Sequence, residues 1–202
     1  MYALVESESI TKIFSYPKGF SLGDIQYSRD IFTKWSAEEK EAIGIYEVVF
    51  DDTNKKDEAW YINTNQSFAF ADGTVTASYG TATPKAHADT LWTAQDETDG
   101  KGTEGEVATR GLKYNLIQTL KQQVAGILSD TDWYITRNAE KETAIPSAIS
   151  THRDSVRTKQ ASMETAITNA SDTLALETLY TYTTDSDGVQ SRPLGELPTL
   201  EI

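Results

Sequence analysis

Five apolar residues, Leu112, Leu116, Leu120, Val124 and Leu128, recur at every fourth position, reinforced by Ile117 and Ile127. Lys113, Asn115, Gln118, Lys121 and Gln122 stay off that stripe. Spacing of this kind puts the apolar side chains on one face of a long helix, which must then be buried against a partner element. After it, Ser129-Asp-Thr-Asp132 offers side-chain caps for a second helix that Trp133 and Ile135 would anchor. Pro146 suits the first turn of a third helix, because its missing amide costs nothing there. That helix is predicted to run to about Ala170. Along it Ile149, Val156, Met163 and Ala170 recur every seven residues, with Arg153, Gln160 and Ile167 four later. The seam is thin and polar in places, enough to pack on the first helix but short of a coiled coil.

The chain ahead of this module carries strand signals. Tyr2–Val5 and Ile10–Phe14 flank Glu6-Ser-Glu-Ser9 as a hairpin, and Tyr16-Pro17-Lys18-Gly19 is turn chemistry. Ser36 and Glu39 have capping-box spacing for a short helix that Gly44 would end. Ile45–Phe50, Trp60–Ile62, Gln66–Phe70 and Val75–Tyr79 read as strands, the last two joined through Asp72-Gly73. Residues 81–109 are rich in Gly, Thr and acids and read as a linker arm, one long enough to be functional or else an ordered arm lying on something, with Leu91-Trp92 as one anchoring point. Leu174–Tyr182 suits a short helix or an extended arm, and the two prolines of the final stretch predict an extended tail.

The expected fold is therefore α+β: a small N-terminal β-rich domain (1–80), a long linker (81–109), a helical module of two or three antiparallel helices (110–182) and an extended C-terminal tail (183–202). Leu116, Leu120, Val124, Leu128 and Trp133 are the expected core of the helical module.

Charge and motif content narrow the function. The 202 residues carry 18 Lys+Arg against 31 Asp+Glu, a formal net charge of −13, which disfavours phosphate backbones and anionic membranes. Residues 110–159 run the other way, with eight basic and five acidic residues. On that stretch Arg137, Arg153 and Arg157 are candidate contacts for an acidic partner, since guanidinium forks suit carboxylates. With no cysteine there is no disulfide framework or thiolate metal site. The opening residues lack a basic n-region and a long apolar core, so no signal peptide is expected. Phosphate loops, nucleophile elbows and paired metal-binding histidines are missing, and His87 and His152 lie far apart. Asp185-Ser-Asp187-Gly188 and Asp96-Glu-Thr-Asp99-Gly100 look like calcium-loop fragments without the completing Glu, so polar turns are expected. Asp130 and Asp132, placed before Trp133 at a helix start, are expected to serve as caps and helix-dipole partners rather than an acid–base pair. No enzyme activity, cofactor or metal is anticipated.

Leu128-Ser-Asp-Thr-Asp132-Trp133, Arg137, Ala144-Ile-Pro146 and His152-Arg153-Asp-Ser-Val-Arg157 together resemble a module of tailed-bacteriophage tail proteins, of the tail-assembly-chaperone-like or tail-fibre-associated family. That pattern is a Leu-rich helix, a small-Asp-Trp corner and a later helix with an aromatic-Arg-x-x-Leu-Arg ending. Here His152 stands where the family commonly has Tyr, and Val156 where it has Leu. Trp35–Glu39 and Ile43–Ile45 also look like the small β domain found upstream in such proteins. The resemblance implies a structural virion protein, made in the host cytoplasm and placed in the phage tail. There it would be a hinge or adaptor bridging larger tail or fibre proteins, with self-association as an option and neither nucleic acid nor membrane as partner. The alternative is an assembly chaperone that leaves before the particle matures.

Overall fold

The computed structural model describes residues 1–200, and the chain divides into two units, Met1–Thr83 and Pro84–Ile202. The first is built on β1 (Tyr2–Glu6), β2 (Ser9–Phe14), the hairpin β3 (Phe20–Leu22) and β4 (Ile25–Tyr27), α1 (Ile31–Lys34), α2 (Ala37–Glu41), β5 (Ile45–Asp51), β6 (Tyr61–Ile62), β7 (Ser67–Ala71) and β8 (Thr74–Ser78). Five of these form one sheet in the order β2-β1-β5-β8-β7, antiparallel except for the β5–β8 pair. Its outer strands β2 and β7 approach each other, so the sheet curls into a half-barrel.

Strand alternation gives this sheet two cores. On one face Leu4, Phe14 and Ile45 pack with Phe20, Ile31 and Phe32. On the other, Ala3, Val5, Val48, Val75 and Ala77 line the inside of the curl, flanked by Ile10, Ile13, Tyr46, Phe68 and Phe70. Phe68 and Phe70 lie opposite Ala77 and Val75 across the β7–β8 hairpin, as the alternation predicts. The capping box at α2 also forms: Glu39 N–H donates to Ser36 Oγ at 3.2 Å, and Ser36 N–H to a Glu39 carboxylate oxygen at 2.8 Å. Gly44 follows at φ +79°, where a Cβ would lie 2.5 Å from the Val5 carbonyl oxygen. Only glycine lets the chain turn from α2 into β5 that close to β1.

The second unit overturns the linker-module-tail expectation. After β9 (Thr83–Pro84), which straddles the boundary, come β10 (Thr90–Leu91), α3 (Ala94–Thr98) and β11 (Val107–Thr109). They are followed by α4 (Leu112–Ser129), α5 (Asp132–Lys141), α6 (Ser147–Asn169), α7 (Thr173–Tyr180) and the hairpin β12 (Thr183–Thr184) and β13 (Gln190–Ser191). The linker arm is an ordered arm that lies on the helices, the second of the two readings its length allows. Leu112 and Lys113 donate their amides to the Ala86 and His87 carbonyls at 2.9 and 3.0 Å, and the Thr173 hydroxyl donates to the Lys85 carbonyl at 2.6 Å. Trp92, the anchor within it, lies so close to Gly102 that a Cβ there would overlap the indole. The tail is not simply extended either. It forms the β12–β13 hairpin, then buries Leu194, whose amide donates to the Leu179 carbonyl at 3.0 Å. Four helices, not two or three, make the helical part.

The start of α4 is latched by Asp89, which accepts from the Gly111 amide at 2.8 Å and from Arg110 at 2.6 Å. The Gly111 N–H first, and then the Arg110 guanidinium, hold the Asp89 carboxyl below its usual 3.8. A depressed carboxyl contributes stability above its unfolded value that is lost as pH falls through the folded one. In an NMR acid titration the Gly111 amide shift should therefore follow a carboxyl that titrates below 3.8, and Asp89→Asn should abolish that transition. A Cβ on Gly111 would sit 2.3 Å from the Ala88 carbonyl carbon. Because the obstacle is backbone, Gly111→Ala should destabilise the second unit by about 1–3 kcal/mol in urea melts.

Candidate functional site

The α4–α5–α6 corner is where most of the sequence-derived candidates meet. α4 packs on α6 along much of its length. Leu120 and Val124 of α4 are buried, and Leu116 and Leu128 partly so. From α6 the heptad positions Ile149, Val156, Met163 and Ala170 are all buried, as is Ile167. The third helix thus uses the seam that its spacing marks.

Arg153 belongs to that seam and is not a surface contact. It is only 6 % exposed. Its Nη1 donates to the Leu128 carbonyl at 2.7 Å and to Thr131 Oγ1 at 2.6 Å, while Nη2 donates to Asp132 Oδ1 at 2.8 Å. Thr131 in turn donates to the same Leu128 carbonyl at 3.1 Å. A planar fork at the C-terminus of α4 can reach one of its last carbonyls, which also accepts from the Thr131 amide at 3.1 Å, and the first residue of α5 together. This explains both why Arg153 is inward and why Asp132, though it stands in the first turn of α5 where a dipole partner belongs, is no cap: its carboxylate faces the guanidinium, and Thr131 makes no side-chain cap bond. Arg153 Nε has no partner among the described residues.

Trp133 also departs from expectation. It is 50 % exposed, stacked on Tyr134 with centroids 3.7 Å apart, and the Arg137 guanidinium lies 6.0 Å from its ring centre. α5 is short, meets α4 only near their joint and buries none of its residues; Tyr134 and Asn138 are half-buried, and Trp133 and Ile135 lie exposed to either side of them. Trp133→Ala should accordingly cost less than about 1 kcal/mol in urea melts, far from the 3–5 kcal/mol of a buried aromatic. Arg137 and Arg157 are exposed; Arg157 lies 3.5 Å from Asp154 one turn away on α6, a pair of little energetic weight.

The final residues lie over this corner. Leu197, Pro198, Thr199 and Leu200 enclose a cavity of about 330 Å³ with Ile127, Thr131 and His152. Arg192 holds the tail in place, paired with Glu196 at 2.8 Å and facing the rings of Tyr180 and Tyr182. The calcium-loop look-alike at 185–188 serves as a turn, with Asp185 Oδ1 accepting from the Asp187 and Val189 amides at 2.9 Å. Among the described residues no cluster of three or more His, Asp or Glu is arranged to hold a metal, and no helix is long and apolar enough to cross a membrane. What the corner offers is a rigid joint with an exposed aromatic and arginine beside it. No protein-family model, curated protein or solved structure matches the chain.

Proposed function

We propose that the protein is a structural component of a tailed-phage virion, a hinge or adaptor that bridges larger tail or fibre proteins. One observation carries the reading. Three of the residues on which the sequence resemblance rests meet in one joint: Arg153 reaches the main-chain carbonyl of Leu128 and the carboxylate of Asp132, more than twenty positions earlier in the chain. The resembling pattern therefore has a packing reason: it specifies how a long helix breaks and folds back, which is scaffold work rather than chemistry. Beside the joint, Trp133 and Arg137 supply the exposed aromatic and guanidinium types that anchor protein–protein interfaces. The partners of this reading are other phage tail or fibre proteins, and its location is the phage tail.

Mass spectrometry of purified virions from a phage encoding the chain tests it. The protein is expected as a fixed-copy component that survives washing in high salt. Its absence from mature particles overturns the structural reading. Absence combined with a raised soluble yield of co-expressed fibre protein would favour an assembly chaperone instead.

A further inference from the structure

The curl of the N-terminal sheet ends in a mouth that the tail reading does not use. The two hairpin tips Ser7-Glu8 and Asp72-Gly73 stand at the same end of the half-barrel, and with Val5, Tyr46 and Phe70 they line a cavity of about 730 Å³. Tyr46 and Phe70 form a corner of two rings, with centroids 4.9 Å apart and planes inclined by 56°. Both pack on the apolar lining of the curl behind them. Neither ring has a cation against it among the described residues, although eight other cation–ring contacts occur in the chain. Likewise Glu8 and Asp72 belong to none of the chain's ion pairs among the described residues. Residues 1–83 hold seven Lys and Arg against thirteen Asp and Glu, so the surrounding field is negative.

We propose that this mouth binds an alkylammonium group, seated against the Tyr46–Phe70 corner and held by the Glu8 and Asp72 carboxylates. Three features of the cavity point the same way. Aromatic faces attract cations through their quadrupole, and they do so more strongly where water is partly excluded. Carboxylates at the rim neutralise the charge without having to be buried. The mouth of a curled sheet is also a usual place for a small-ligand site, with an apolar floor and a few polar groups converging on it. A neutral apolar ligand would leave both carboxylates unused, and an anion would meet the field with the wrong sign.

The test is NMR titration of the full chain at constant ionic strength, following the Tyr46 and Phe70 ring resonances. The probes are tetramethylammonium chloride, Nα-acetyl-lysine methylamide and the neutral, similarly sized tert-butanol. Saturable shifts are expected with tetramethylammonium or the lysine derivative and not with tert-butanol. Stronger binding of tetramethylammonium identifies a free quaternary amine as the source of the cation, and stronger binding of the lysine derivative identifies a side chain of a partner protein. The double variant Glu8→Gln/Asp72→Asn, confined to exposed tips, should weaken binding by about threefold to fivefold. Phe70→Leu should weaken it comparably while keeping the floor apolar. Equal shifts with tert-butanol, no saturation with either cation, or unchanged affinity in the carboxylate variant would each overturn the proposal.

Discussion

Arg153→Ala should lower the stability of the second unit by about 3–4 kcal/mol. Two of its three hydrogen bonds go to the Leu128 carbonyl at the end of α4 and to the buried Thr131 hydroxyl. A charge-assisted hydrogen bond contributes roughly 1.5–3 kcal/mol, and losing the donor leaves a desolvated acceptor behind. The third bond weighs less, because the Asp132 side chain is 60 % exposed. Asp132→Ala should therefore cost only about 0.5–1 kcal/mol. Arg153→Lys separates charge from geometry. An ammonium keeps the charge but cannot reach the carbonyl, the hydroxyl and the carboxylate from one planar fork, so about 2 kcal/mol should still be lost. Urea melts of the three variants, with hydrogen exchange of the α4–α6 amides, check this. A lysine variant as stable as the native chain would show that charge alone holds the joint.

This result bears on what was legible in the sequence. The spacing of Ile149, Val156, Met163 and Ala170 marks the buried seam of α6, and Arg153 and Ile167 stand on the same seam four residues later. Periodicity alone therefore places Arg153 inside, yet residue type suggests a surface contact, because a buried arginine needs partners that lie more than twenty positions away. Trp133 fails for the mirror reason. A large aromatic at a helix start suggests a core, but α5 is short and lightly packed and buries none of its residues. The stretch from 84 to 109 was hidden by composition. Its glycines and acids look like those of a flexible linker, whereas Gly111, just beyond it, and Gly102 are required by close approach, and Asp89 and Asp96 are tied into local hydrogen bonds. In particular, Asp96 closes a capping box on Thr93, and the Thr93 hydroxyl with Lys101 brings its carboxyl to about 2. Strands of two residues, as in β10 and β12, carry no readable alternation. The candidate mouth of the half-barrel was invisible for a topological reason. Glu8, Tyr46 and the Phe70–Asp72 segment are far apart in the chain, and the strand order with its parallel β5–β8 pair brings them together.

In the first unit the decisive side chain is Phe14, which is fully buried with ring centroids 4.9 Å from Phe20 and 5.4 Å from Phe32. Those contacts tie the β3–β4 hairpin and α1 to β2 on one face of the sheet. Phe14→Ala removes the central ring of the cluster, and the cavity cannot collapse without moving strand or helix backbone. About 3–5 kcal/mol should be lost, whereas Phe14→Leu, which keeps most of the volume, should cost less than about 1.5 kcal/mol. Since β2 also carries Ile10 and Ile13 into the curl of the sheet, the loss should register on both faces. Hydrogen exchange of the β1 and β2 amides reads it directly: Phe14→Ala should speed exchange across both strands, on the Phe14 side and the Val5 side alike. Acceleration confined to the Phe14 side would mean that the two cores of the half-barrel open independently.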